Sequence, residues 1–152
     1  MRKKYSAAFL ILVIVVAACK TKDKPAGKSD NYADAARNFI RAALDGKFLE
    51  AGTFMLRDSS NLEYLDVAER SYQRTEQSVK DGYRGSSIRI HQPIVNVNDS
   101  TSIIIFSNSF KNDPDTLKVL RVNGTWLVDL KYLYQHDSDT IINKPVTNDS
   151  LK

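Results

Sequence analysis

From residue 30 onward the spacing of apolar positions changes once, from a helical period to a strand period. Ala35, Ala36, Phe39, Ile40, Ala43 and Leu44 recur at the three-four spacing of one helical face. They predict a helix over residues 31–45. Asp30 stands where a side-chain oxygen can cap unpaired backbone N–H groups, and Gly46 stands where a left-handed C-cap falls. Residues 48–56 predict a short second helix with Phe48, Ala51 and Met55 turned inward. A third helix is expected from Ser60, which has capping-box spacing to Glu63. Its stripe is Leu62, Leu65, Ala68, Tyr72 and Val79, and Gly82 is expected to end it.

Four strands are expected next: residues 86–97, 101–110, 115–122 and 125–133. Asn123-Gly124 predicts a two-residue hairpin turn. That turn fixes a register: Val122 against Thr125, Arg121 against Trp126, Val119 against Val128, Lys118 against Asp129, and Leu117 against Leu130. Arg121 and Trp126 then stand where a cation–π contact can form, and Lys118 with Asp129 makes an opposite-charge pair. Asn98-Asp99 and Asn112-Asp113-Pro114 predict the other turns. Pro93 demands an edge position or a bulge, and the apolar parity slips across it, from Ile88 and Ile90 to Val95 and Val97. Ile103, Ile104, Ile105 and Phe106 run without a break, which predicts burial on both faces of the sheet. Helices cover only one face, and Leu120 and Leu127 point to the other. A second copy of the chain, or the C-terminal tail with Ile141 and Ile142, is the expected cover. Helices first and strands after make the class α+β, three helices on a four-stranded antiparallel sheet.

The N-terminus carries a different pattern. Arg2, Lys3 and Lys4 precede fourteen uncharged residues that end in Val16, Ala17 and Ala18, followed by Cys19 and a lysine-rich stretch. A basic start, a short apolar run and a small-residue end make a secretory signal; the run falls short of the roughly 20 residues of a spanning helix. The site resembles the lipobox of bacterial lipoproteins. That resemblance implies cleavage between Ala18 and Cys19 and acylation of Cys19, palmitate being a typical chain. Lys20 after the cysteine resembles the sorting signal for the outer membrane. The expected organisation is a signal over 1–18, lipidated cysteine and polar tether over 19–29, a domain over 30–134 and a polar tail over 135–152.

Charge is uninformative once the signal is removed. The chain has 22 Lys and Arg against 18 Asp and Glu, and loss of Arg2, Lys3 and Lys4 lowers the net charge from +4 to about +1. Nothing there calls for a nucleic-acid partner. Cys19 is the single cysteine, so no disulfide can form within the chain.

The run AARNFIRAALDGKFLEAGTFM, with Gly46, Phe48 and Ala51, and the closing hairpin with Gly124, Trp126 and Val128, resemble the nuclear-transport-factor-2-like superfamily. The likeness is narrower still to small bacterial lipoproteins of that fold, and spans residues 30–134. It implies a cone in which helices pack into the hollow of a curved sheet. Relatives of that fold include enzymes and binding domains, so fold does not choose between them.

Chemistry-bearing residues are sparse. His91 and His136 have no Cys or carboxylate at metal-ligand spacing, so no metal and no cofactor is expected. No nucleophile elbow or phosphate loop occurs. One constellation remains: Glu76 and Glu69 flank Tyr72 on the third helix, and Tyr83 returns to the same side if that helix persists. A carboxylate beside two phenols in an apolar hollow can act as a base with a hydroxyl donor. The two readings are a membrane-anchored envelope domain that binds a protein partner or small ligand, and an isomerase- or dehydratase-type enzyme using Glu76, Tyr72 and Tyr83. An exposed Glu76 removes the second.

Overall fold

Residue 61 is an asparagine with no solvent exposure, and the architecture turns on it. The computed structural model describes residues 27, 29–92 and 94–139. The expected signal, Cys19, most of the tether, Pro93, Ile141 and Ile142 lie outside the described residues. The elements are α1 (Tyr32–Leu44), α2 (Phe48–Ala51) with a 3-10 turn (Gly52–Phe54), α3 (Ser59–Arg74), α4 (Gln77–Gly85), β1 (Ile88–Ile90), β2 (Val95–Asn98), β3 (Thr101–Asn108), β4 (Asp115–Val122), β5 (Thr125–Asp129) and α5 (Leu130–Asp139). The class is α+β, with every strand pair antiparallel.

α1 buries Ala35, Ala36, Phe39, Ile40 and Ala42. Its cap is Asn31 and not Asp30: the Asn31 Oδ1 accepts from the Asp34 N–H at 2.8 Å. At the other end Gly46 has φ +76°. Lys47 N–H donates to the Ala42 carbonyl at 2.9 Å and Gly46 N–H to the Ala43 carbonyl at 3.0 Å, the paired bonds of a Schellman stop. α2 buries Phe48 and Ala51 as expected, but it gives way at Gly52. Met55 is already extended, and Leu56 N–H donates to the Val128 carbonyl at 2.9 Å. This short parallel bridge covers the free side of β5.

The expected third helix is two helices. Its cap is Asp58, whose carboxylate accepts from the Asn61 N–H at 3.0 Å, so Ser60 lies in the first turn and no capping box forms. That start turns Asn61 inward and leaves Leu62 41% exposed. The break comes at Thr75 and Glu76, both extended. The Thr75 hydroxyl takes the Ser71 carbonyl at 3.0 Å, the acceptor its own N–H would need in a continuing helix. Gly82 is inside α4, not at its end.

The expected first strand is also two. β1 and β2 both pair with β3 on the same edge, Ile90 opposite Phe106 and Val95 opposite Ile103. Between them the parity changes: Ile88, Ile90 and Ile94 pack on the core, and Val95 and Val97 are exposed. The β4–β5 register agrees with the Asn-Gly prediction from Val122↔Thr125 to Lys118↔Asp129. Asn123 and Gly124 have φ 50° and 81°. Trp126 meets Tyr32 edge to face at 5.6 Å, and Arg121 is exposed. Leu117 and Leu130 are both buried, but they are not a ladder pair, because β5 ends at Asp129. Residues 130–139 fold as α5, so the ordered unit passes the expected boundary at residue 134. The outer face of the sheet is only half covered by described residues. Ile104 is fully buried, yet Ile105 is 37% exposed, and Ile103, Leu120 and Leu127 are half-buried. Burial of the β3 run on both faces is therefore incomplete.

Asn61 ties these pieces together. Its Oδ1 accepts from the Leu130 N–H at 2.7 Å, the first N–H of α5. Its Nδ2 donates to Asp58 at 2.8 Å and to Asp129 at 3.3 Å. Lys131 Nζ closes the cluster on the Asp58 carboxylate at 2.7 Å. The Lys131 hydrogen bond, followed by the Asn61 N–H, holds Asp58 down to about 2 from 3.8. The same bond raises Lys131 above its ordinary value.

Asn61→Ala leaves the Leu130 N–H and the buried Asp129 short of partners, and is expected to cost roughly 2–4 kcal/mol in urea denaturation. A loss below about 1 kcal/mol would contradict this role. Because Asp58 is depressed when folded, its contribution is full above about 3.8 and fades as pH falls toward about 2. Acid titration of the wild type against Asp58→Asn should show the two stabilities converging over that window.

Candidate functional site

The same turn that stops α1 builds one wall of a hollow. A Cβ at Gly46 would lie 2.6 Å from the Cε1 of Tyr72, so only glycine seats that ring. The Tyr72 hydroxyl donates to the Leu44 carbonyl at 3.3 Å, one of the acceptors left open at the end of α1. Its ring meets Phe48 edge to face at 5.6 Å. Tyr72 thereby joins α1, α2 and α3.

The opposite wall is α4 and the β3–β4 loop. α4 has no fully buried residue and is held at its C-terminal end. Arg41 donates to the Tyr83 carbonyl at 3.1 Å and the Ser86 carbonyl at 2.8 Å, and is itself fixed by Asp45 at 2.7 Å. A cation on the last carbonyls of a helix suits its dipole. Phe110 lies against Gly82, where a Cβ would be 2.4 Å from its ring, and it meets Tyr83 edge to face at 5.4 Å. The loop is turned by Asn108, whose Oδ1 accepts from the N–H groups of Phe110 and Lys111 at 3.1 and 2.9 Å.

Between these walls the hollow has two levels. The mouth, about 610 Å³, is lined among others by Ser71, Tyr72, Thr75, Tyr83, Asn108, Lys111, Asp113 and Asp115. Below it is a throat of about 160 Å³, reached by Phe39, Ile40, Leu65, Leu117, Leu130 and Leu133. Ala43, Leu44, Phe48, Ala68, Phe106 and Tyr134 line both levels. α5 supplies much of the floor, with Tyr134 stacked on Tyr64 at 4.5 Å. The arrangement is an apolar end with polar groups gathered at its opening, the usual form of a small-molecule site.

Tyr72 and Tyr83 stand where the sequence placed them, on the hollow. Glu76 does not. It is exposed and absent from the lining, because the break at Thr75 changes the phase between Tyr72 and Tyr83. Glu69 accepts from Gln73 at 3.3 Å, likewise outside the lining. The Tyr72 hydroxyl is occupied by Leu44. The base proposed from sequence is therefore not in position. The carboxylates at the mouth are Asp113 and Asp115, which sequence reasoning passed over as part of a turn and the start of a strand. Asp115 is the cross-strand partner of Phe106, and that pairing was the signal available. His91 is on the other face of the sheet, with Nε2 2.9 Å from the Ser107 Oγ. His136 falls in α5, and its side chain lies outside the described residues. Among the described residues no group of three His, Cys, Asp or Glu could hold a metal ion. No described helix is long and apolar enough to cross a membrane.

No family model, no curated protein and no solved structure matches this chain.

Gly46→Ala must adopt a positive φ and displace Tyr72. It is expected to lower stability by at least about 1 kcal/mol. Gly85→Ala, with nothing within 4 Å of the added carbon, should be neutral or gain about 0.5 kcal/mol. Equal effects in chemical denaturation would contradict the role of Gly46 as the seat of Tyr72.

Proposed function

We propose that the chain is a bacterial envelope lipoprotein that binds a small ligand in the hollow and does not transform it. A signal over residues 1–18 directs export, and acyl chains on Cys19 anchor the chain, in the outer membrane by the reading of Lys20. Several acyl chains give firm attachment where one does not. The tether then spaces the domain from the lipid surface. In this reading the domain is a nuclear-transport-factor-2-like cone, with α1, α3 and α5 in the hollow of a curved sheet.

The observation that carries the binding function is the apolar throat opening into a mouth that carries the polar groups. Binding is favoured over catalysis because Glu76 stands in water and the Tyr72 hydroxyl is held by a helix carbonyl. The isomerase or dehydratase alternative is left without its base. A second interaction is supported by the outer sheet face. Val95, Val97, Ile105 and Val122 are each more than a third exposed there, an apolar patch of the kind that pairs two copies or meets an envelope protein.

Labelling with a palmitate analogue should mark the wild type and not Cys19→Ser; label on the variant would overturn the anchor. Native mass spectrometry of the lipidated chain, released from nanodiscs, reads the rest. The expected species is a dimer carrying a small non-lipid adduct, and a bare monomer under all conditions would contradict both uses of the domain.

A further inference from the structure

We infer that the ligand is a single aromatic ring carrying a short zwitterionic head, the size and charge pattern of an aromatic amino acid. This rests on the reading of the hollow as a ligand site. Size argues for the ring. The throat holds about 160 Å³, close to the roughly 150 Å³ apolar cavity that takes up benzene and stays free of water. Phe39, Phe48, Phe106 and Tyr134 line it, and ring edges and faces favour another aromatic group in offset or edge-to-face contact. A long acyl chain would outrun a throat of this size and leave most of its length in the open mouth.

Charge argues for the head. The mouth carries Lys111 together with Asp113 and Asp115. Asp115 lies directly across the ladder from Phe106, which lines the throat, so it belongs to the same face of the sheet at the entrance, where one carboxylate oxygen accepts from the Thr116 N–H at 2.7 Å. Lys111 Nζ stands 5.9 Å from the centre of the Tyr83 ring, on the same wall of α4 and the β3–β4 loop that carries Asp113. Both signs therefore border one opening. A monoanion meets two carboxylates there, and a monocation leaves the lysine unanswered. A molecule with an ammonium and a carboxylate on one carbon, and a ring one carbon further, can answer both signs while its ring fills the throat.

The test uses the full chain in phospholipid nanodiscs, with amide shifts of Leu44, Ala68 and Phe106 followed by NMR. The probes are L-phenylalanine, phenylpropionate, phenethylamine, octanoate and benzene. Phenylalanine is expected to bind at least tenfold tighter than phenylpropionate or phenethylamine, each of which lacks one charge, and octanoate should not shift these amides. Ala68→Phe, which fills the throat, should abolish the phenylalanine shifts. Asp115→Asn should weaken phenylalanine several-fold and leave phenylpropionate unchanged or improved, a pattern that misfolding would not produce. Phenylpropionate, phenethylamine or octanoate binding as tightly as phenylalanine would overturn the zwitterion and leave the hollow a ligand site. Benzene binding alone would do the same. If benzene fails as well, the hollow is not a ligand site, and the proposal falls with that reading.

Discussion

A single buried amide decides where the chain turns back on itself. Asn61 offers one acceptor and two donors in a place without solvent exposure, and all three find partners: Asp58 at the start of its own helix, and Asp129 and Leu130 far along the chain. An unpaired polar group there would cost most of what a small domain has to spare. The junction therefore fixes the start of α3, the end of β5 and the first turn of α5 at once. Asp129 serves both sides: it closes the ladder opposite Lys118 and accepts from the Lys131 N–H at 3.3 Å as α5 begins.

The hollow follows from that turn. With β5 stopped at Asp129, the next ten residues are free to cross back as a helix between β4 and α3. Leu130 and Leu133 then fill the core from below, and Tyr134 reaches the throat. α1 covers β4 and β5 from the same side. What remains between α1, α3 and the far end of β3 is the cavity. Its walls are held by local devices: a glycine that seats Tyr72, a second glycine that receives Phe110, and an arginine that holds α4 by its terminal carbonyls. α4 adds little burial of its own, so the mouth depends on those few contacts more than the core does.

What was legible in the sequence was whatever is decided locally. The Asn123-Gly124 turn and the parity around it gave the hairpin register rung by rung. The Gly46 stop, the inward face of α1 and the parity slip near Pro93 were equally readable. The break at Thr75 was not, because no Gly or Pro marks it and apolar residues continue at helical spacing past it; a threonine hydroxyl competing for one carbonyl made the difference. α5 was hidden for a different reason. Trp126, Val128, Leu130 and Tyr132 alternate as a strand would, and the bond that ends the strand comes from Asn61, 69 residues earlier. The candidate site inherits both errors. Tyr72 and Tyr83 were placed correctly, Glu76 fell out with the helix break, and the throat went unseen because its floor is α5.

The junction leaves an open apolar throat beneath a mouth that carries the polar groups. Xenon is the most direct probe, because it enters dry apolar cavities and is seen in diffraction by its electrons. A crystal pressurised with xenon should show one ordered atom between Phe39, Leu117 and Leu133, and that atom should be lost in Ala68→Phe. No xenon at that position, with those side chains closed on one another, would contradict the account.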